Sequence, residues 1–242
     1  PGEAFYPTED QASPAFADIY PQDGVEELIL ARRNGTIEAY AMPADGWTES
    51  GWTPASADMV PALDGQDGLG ENPRVAFADL DKDGDRDLLV GGSLDYLFYL
   101  ENIGDTNQPD FTLVSTNYAA DCAGGAPAPG DVDGDGDVDL IVGRADGTLV
   151  FLQNSGTAAT PAWAAPVENY AALDVGEEAA PVLGDVTGDG LADLLVGSRG
   201  GAIAYLPNTG TTSAPAWNPA RRNSSTLGFD LALSEENGRL MA

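Results

Sequence analysis

Short apolar runs of three to five residues alternate along the chain with clusters of Asp, Gly, Asn and Pro, a rhythm that predicts brief strands and tight turns rather than helices. The clearest runs are Leu88-Leu89-Val90, Leu140-Ile141-Val142 and Leu194-Leu195-Val196, each closing on a glycine. Each leads to a second run such as Thr148-Leu149-Val150-Phe151-Leu152. Between paired runs stand Asn34-Gly35, Asp146-Gly147 or Gly200-Gly201, pairs that tolerate positive φ and predict two-residue hairpin turns. A strand ahead of the first run and another in a following Pro-x-Trp/Phe segment bring the expectation to four strands per unit.

The units repeat. Ala78-Asp79-Leu80-Asp81-Lys82-Asp83-Gly84-Asp85-Arg86-Asp87, Gly130-Asp131-Val132-Asp133-Gly134-Asp135-Gly136-Asp137-Val138-Asp139 and Gly184-Asp185-Val186-Thr187-Gly188-Asp189-Gly190-Leu191-Ala192-Asp193 share one pattern, their first aspartates 52 and 54 residues apart (131 − 79 and 185 − 131). Twenty-three residues on come Asn102, Asn154 and Asn208, then Pro109, Pro161 and Pro215, with Phe111, Trp163 and Trp217 two places later. A degenerate copy runs from Asp18 to Leu30 with one residue inserted before Asp23-Gly24. The units cover approximately 14–60, 73–115, 126–167 and 180–222, and 223–242 is expected to hold a lead-in strand or tail. A four-stranded unit cannot bury both faces alone, so neighbouring units are expected to stack radially. The expected fold is an all-β propeller of four-stranded blades, at least four in this chain, forming a single domain or segment over 1–242.

Charge narrows the partners. Forty acidic residues against ten basic ones give a net charge of −30, and Lys82 is the single lysine. Phosphate backbones and anionic membrane surfaces would be repelled, so no nucleic acid is expected; no run of apolar residues is long enough to insert in a membrane. Self-repulsion on this scale calls for bound cations or external salt. The chain has no histidine and one cysteine, Cys122, which removes Ser-His-Asp and Cys-His nucleophilic chemistry, histidine zinc sites and an internal disulfide. Paired carboxylates of the glycosidase kind stay open. The chain begins at Pro1 rather than Met, as a processed chain or a piece of a longer one would.

The aspartate loops then become the chemical centre. Calcium takes six to eight oxygens at roughly 2.3–2.6 Å, and carboxylates on alternate residues of a tight loop can converge on one ion. The candidate ligands are Asp79, Asp81, Asp83, Asp85 and Asp87; Asp131, Asp133, Asp135, Asp137 and Asp139; and Asp185, Thr187, Asp189, Leu191 and Asp193, the seventh position offering a backbone carbonyl and the ninth closing the shell. Asp18, Asp23 and Glu27 form a degenerate fourth candidate. An EF-hand is ruled out because its twelfth position carries glutamate between helices, whereas here it is Val90, Val142 or Val196 in a β-prone run.

These segments resemble the FG-GAP or VCBS repeats of integrin α-subunit propellers and of secreted bacterial proteins, the bacterial form more closely, over about residues 14–217. The resemblance rests on the aspartate loop, Leu-(Leu/Ile)-Val-Gly and Asn-x-Gly together. It implies that each loop joins the first two strands of a blade and that Asp79, Asp81, Asp83, Asp87 and their equivalents ligate calcium. The integrin-type Gly-Ala-Pro after the second strand is missing, and family rings usually have seven blades. The chain is therefore expected to be part of a larger ring, or to pair an open edge with another chain.

Other residues fit plainer roles. Phe111, Trp163 and Trp217 recur at one phase and suit inter-blade core better than sugar stacking, while Trp47 and Trp52 keep a binding role open. Cys122 fits a free small residue, and Arg32-Arg33 and Arg221-Arg222 fit solvated turns. Asn34-Gly35-Thr36 and Asn223-Ser224-Ser225 match a glycosylation acceptor. The expected function is a non-catalytic, calcium-binding scaffold, extracellular or at the cell surface, that binds a protein or polysaccharide. A lectin-like module, or part of a secreted polysaccharide-degrading enzyme, is the alternative.

Overall fold

The structure, a computed structural model, describes residues 12–20, 24–32, 35–42, 52–56, 59–60, 73–92, 96–105, 108–119 and 125–217. Among them there is no α-helix, and no helix is long and apolar enough to cross a membrane. The strands form four antiparallel sheets, each in chain order. The first holds β1 (Ala12–Ala17), β2 (Glu27–Arg32), β3 (Ile37–Ala41) and β4 (Thr53–Ser56). The second holds β5 (Arg74–Ala78), β6 (Asp87–Gly91), β7 (Leu97–Asn102) and β8 (Phe111–Tyr118). The third holds β9 (Ala126–Gly130), β10 (Asp139–Gly143) and β11 (Leu149–Leu152), and the fourth β12 (Ala180–Gly184), β13 (Asp193–Gly197) and β14 (Ile203–Leu206).

The chain forms two compact units, Pro1–Gly124 and Gly125–Ala242. In the first, Ile29, Ile37 and Ala39 of one sheet pack on Leu88, Val90, Phe98, Leu100 and Phe111 of the next. In the second, Ala128, Ile141 and Leu149 pack on Leu194, Val196, Ala204 and Leu206. The central strands β6 and β10 are buried along their whole length, which explains why they read as unbroken apolar runs and not as alternation. Each Leu or Ile hidden in this way contributes about 1.5–3 kcal/mol, so the faces hold the units together.

Two expectations need correction. Four strands per unit holds for the first two sheets; the third and fourth have three strands each. In the third repeat the returning segment makes the isolated bridges Asn154↔Trp163, Phe151↔Val167 and Thr148↔Asp174 in place of a strand. Pro166 has no N–H to give to a ladder there, whereas Phe111–Tyr118 is free of proline. In the fourth repeat the bridge is Asn208↔Trp217.

The hairpin turns are also one residue longer than expected. The Gly147 N–H donates to the Arg144 carbonyl at 3.1 Å while the Arg144 N–H donates to the Thr148 carbonyl at 2.9 Å, so Ala145-Asp146 are the central pair and Gly147 follows them. Only Gly147, at φ 87, takes the left-handed conformation, giving a type I turn with a glycine bulge. Ser198 to Ala202 repeat this pattern, with Gly201 at φ 80.

Candidate metal centre

Each regular aspartate loop joins the first two strands of its sheet: 79–87 between β5 and β6, 131–139 between β9 and β10, and 185–193 between β12 and β13. The loops are wound by carboxylates accepting the loop's own amides, as Asp side chains do in turns. Asp131 accepts from the N–H groups of Gly134 at 2.7 Å and Gly136 at 3.1 Å, and Asp135 from that of Asp137 at 3.1 Å. Asp185 repeats this with Gly188 at 2.7 Å and Gly190 at 2.8 Å, and Asp189 accepts from Leu191 at 2.9 Å. In the first of the three, Asp81 accepts from Asp83 at 3.2 Å and Asp83 from Asp85 at 3.1 Å.

The closing aspartate has a second occupation. Asp87, Asp139 and Asp193 have no solvent exposure at all. One oxygen of each accepts the backbone N–H one residue past the loop's first aspartate, from Leu80 at 2.9 Å, Val132 at 3.0 Å or Val186 at 3.1 Å. The other accepts the N–H of the repeat's asparagine, from Asn102 at 2.9 Å, Asn154 at 2.8 Å or Asn208 at 2.8 Å. The asparagine hands the chain on: the Asn154 side-chain oxygen accepts from Gly156 and Ala162, both at 3.0 Å, folding the next turn around itself. Asn102 and Asn208 do the same. A Cβ on Gly156 would sit 2.4 Å from the Thr160 carbonyl oxygen, which is why Asn-x-Gly needs its glycine. Sequence reading singled out these residues as a pattern but missed this role. The signal was the constant spacing between the aspartate and the asparagine.

Two loops gather carboxylates. Asp79, Asp81 and Asp83 place one oxygen each within 4.8 Å of one another, and so do Asp131, Asp133 and Asp139. The fourth repeat shows no such group, although 185–193 lies entirely within the described residues. Asp185, Thr187 and Asp189 are exposed there, Leu191 is half-buried, and Asp193 is buried at the strand. Asp135 is exposed, while Asp85 and Asp137 are buried at the seventh position. Asp79 Oδ1, Asp85 Oδ1, Asp133 Oδ1 and Asp137 Oδ1 are buried without a hydrogen-bond donor, an arrangement that costs free energy as it stands.

Electrostatics point the same way. Burial, with Asp83 beside it, pushes the Asp85 carboxyl up to about 6, and burial with Asp135 beside it does the same for Asp137. Burial pushes Asp87 and Asp139 up to about 6 as well, against the pull of the two amides each accepts. Asp185 moves the other way, below the ordinary carboxylate range, because Gly190, Gly188 and Asp189 donate their N–H groups to it. An all-oxygen donor set with uncompensated, dry carboxylate oxygens fits a hard divalent cation at 79–87 and 131–139.

The degenerate loop is built differently. Glu27 is buried and takes the clamp position, its Oε2 accepting from Ile19 and Tyr20 at 2.9 Å each, while Asp18 accepts from Gly24 at 2.9 Å. Asp23 lies outside the described residues. Among the recurring aromatics, Phe111 belongs to the core of the first unit, Trp217 packs against that of the second, and Trp163 is half-buried. Arg32 is paired with Glu38 at 2.8 Å, and Trp52 is half-buried. Arg33, Asn34, Trp47, Cys122, Arg221, Arg222, Asn223 and the 223–242 segment lie outside the described residues.

No curated protein sequence matches the chain. The model of the FG-GAP-like repeat matches twice, over 79–142 and 131–196, each match running from one aspartate loop into the apolar strand after the next. That span takes in the two carboxylate clusters, the buried closing aspartates and the Asn-x-Gly turns between them, and residues 79–196 belong to the FG-GAP-like repeat family.

Proposed function

We propose that this protein is a calcium-loaded, non-catalytic binding scaffold of the β-propeller kind, working outside the cell, with calcium at 79–87 and 131–139 holding each loop at the end of its own sheet. The observation that carries the reading is the pair of carboxylate clusters whose neighbouring dry oxygens accept no hydrogen bond. Calcium suits flexible all-oxygen sites better than magnesium, which demands near-octahedral geometry and keeps its waters. FG-GAP repeats are of a binding or adhesion type, and a chain without histidine lacks the Ser-His-Asp and Cys-His machinery of nucleophilic catalysis. Calcium here is structural: it fixes hairpins, and the partner meets the ordered loops. The partner is a protein or polysaccharide of a cell surface, and millimolar calcium outside cells keeps weak sites filled.

Calcium titration of the chelator-stripped protein by calorimetry tests the metal, with two sites expected and both weakened by Asp81→Ala together with Asp133→Ala. No heat of binding would overturn the reading. Retention on immobilised surface polysaccharide or protein in millimolar calcium, with release by chelator, tests the scaffold role. Turnover of the polysaccharide would replace it with a catalytic one.

A further inference from the structure

We propose that Gln153 is a positioning residue of the third repeat's metal centre, holding Asp133 with one defined oxygen turned to the ion. The inference rests on the calcium reading above and adds to it a residue from outside the aspartate loop. Gln153 stands just past β11, and its Nε2 donates to Asp133 Oδ2 at 2.5 Å. An ionised carboxylate can only accept, so it is the amide nitrogen of Gln153 that meets it. With Oδ2 occupied, the oxygen left for an ion is Asp133 Oδ1, which is buried and has no hydrogen-bond donor. Asp133 in turn belongs with Asp131 and Asp139 to the carboxylate group of this loop.

The neighbouring aspartates are held differently. Asp131 and Asp135 accept amides of the loop itself, whereas Asp133 takes its donor from the far end of the hairpin. A carboxylate has two equal oxygens, and a charge-assisted donor on one of them decides which is presented to a cation. Partners of this kind, one bond removed from the ion, orient its ligands and raise affinity without touching it. Gln153 is exposed, so the contact does little for the fold when no ion is bound. Its main chain is held separately, the Gln153 carbonyl accepting from the Ala164 N–H at 2.8 Å.

The other repeats carry the comparison. The strand pairs Leu28↔Tyr40, Leu88↔Leu100, Leu140↔Leu152 and Leu194↔Leu206 align the four hairpins, and the next residue is Ala41, Glu101, Gln153 or Pro207. The third loop position in the same order is Tyr20, Asp81, Asp133 or Thr187. A long polar side chain thus stands after the hairpin where the loop has aspartate, and alanine or proline where it does not. Pro207 has no side-chain donor, and the fourth repeat gathers no carboxylates. Glu101 is itself a carboxylate and has no proton to give to Asp81, so the positioning contact is particular to the third repeat.

Calorimetric titration of the chelator-stripped full chain with calcium tests this, in an Asp81→Ala background that leaves 131–139 as the site read out. Gln153→Met keeps the length of the side chain and removes its donor. The dissociation constant should rise about tenfold, while the melting temperature in chelator stays within about 2 °C of the background's. The converse is a graft: with Asp81→Ala and Asp133→Ala silencing the two native sites, Thr187→Asp joined by Pro207→Gln should bind calcium more tightly than Thr187→Asp alone. An unchanged dissociation constant for Gln153→Met overturns the proposal and leaves the calcium reading standing. A fall of the melting temperature in chelator to match the lost affinity would also overturn it, by making Gln153 a folding residue, and so would a graft that gains nothing from Pro207→Gln. A chain without substitutions that binds no calcium overturns the calcium reading and this inference together.

Discussion

Loops 131–139 and 185–193 have nearly the same frame and different contents. In both, the first aspartate accepts the amide of the glycine three residues on at 2.7 Å, and in both the closing aspartate is fully buried and clamps two backbone amides. Only the first of them brings three carboxylates together. The sequence differences that matter are Thr187 in place of Asp133 and Leu191 in place of Asp137. Loop shape is thus set by backbone bonds and the ninth residue, and the gathering of carboxylates by the third, so one repeat can lose its carboxylate cluster without losing its fold.

The largest break in that comparison should come from the clamp. Asp139→Ala leaves two buried N–H groups unsatisfied, at about 1–3 kcal/mol each, and should destabilise the protein by about 2–5 kcal/mol in urea unfolding. The loss should be present in excess chelator too; a loss seen only in calcium would make Asp139 a ligand and nothing more.

Next in size is calcium itself. At a hundred times its dissociation constant each site contributes about 2.7 kcal/mol, so chelation should lower the melting temperature by several degrees. Asp133→Thr, which copies the fourth repeat into the third, should remove one site from a calorimetric titration, and Thr187→Asp should strengthen binding at the fourth repeat's loop. Identical titrations for the two variants would dissolve the distinction between the loops.

A smaller effect is expected with pH. Asp87 and Asp139 are held at about 6 in the folded, metal-free chain, above the ordinary 3.8. A carboxyl raised on folding contributes stability that is present in full below the unfolded value and lost as pH rises through about 6. In chelator the melting temperature should therefore be higher at pH 5 than at pH 7. Millimolar calcium should reverse the order, because protons then compete with the ion. Equal ordering in both conditions would separate these carboxyls from the metal.

The smallest effect concerns Lys82, which adopts φ 63 at the loop position where the later repeats have Gly134 and Gly188. Lys82→Gly relieves a left-handed conformation and should stabilise the metal-free protein by up to about 1 kcal/mol, read in thermal melts.

Much of this was legible in the sequence. Runs such as Leu140-Ile141-Val142 between turn residues could hardly be other than buried strands, and the spacing of aspartates placed the loops between them. Less legible was where a carboxylate points. Asp135 and Asp139 look alike in a string of alternating aspartates, but one is exposed and the other wholly buried, because only the second begins a strand whose side chains face inward. The fourth strand of the third repeat misled for a local reason: Trp163 and Val167 bridge to the sheet, but Pro166 between them interrupts the ladder. The hairpins misled because Asp146-Gly147 has the composition of a two-residue turn, and only the hydrogen bond from Gly147 back to Arg144 shows the longer one.

Glu27 carries a lesson about how such a chain can drift. Its loop is one residue longer than the others, and its side chain is one methylene longer than the aspartate found at the same place elsewhere. With that added reach it still collects the amides of Ile19 and Tyr20. Asp193 collects the matching pair of amides, from Val186 and Thr187, with the shorter side chain, so the clamp accepts either acid.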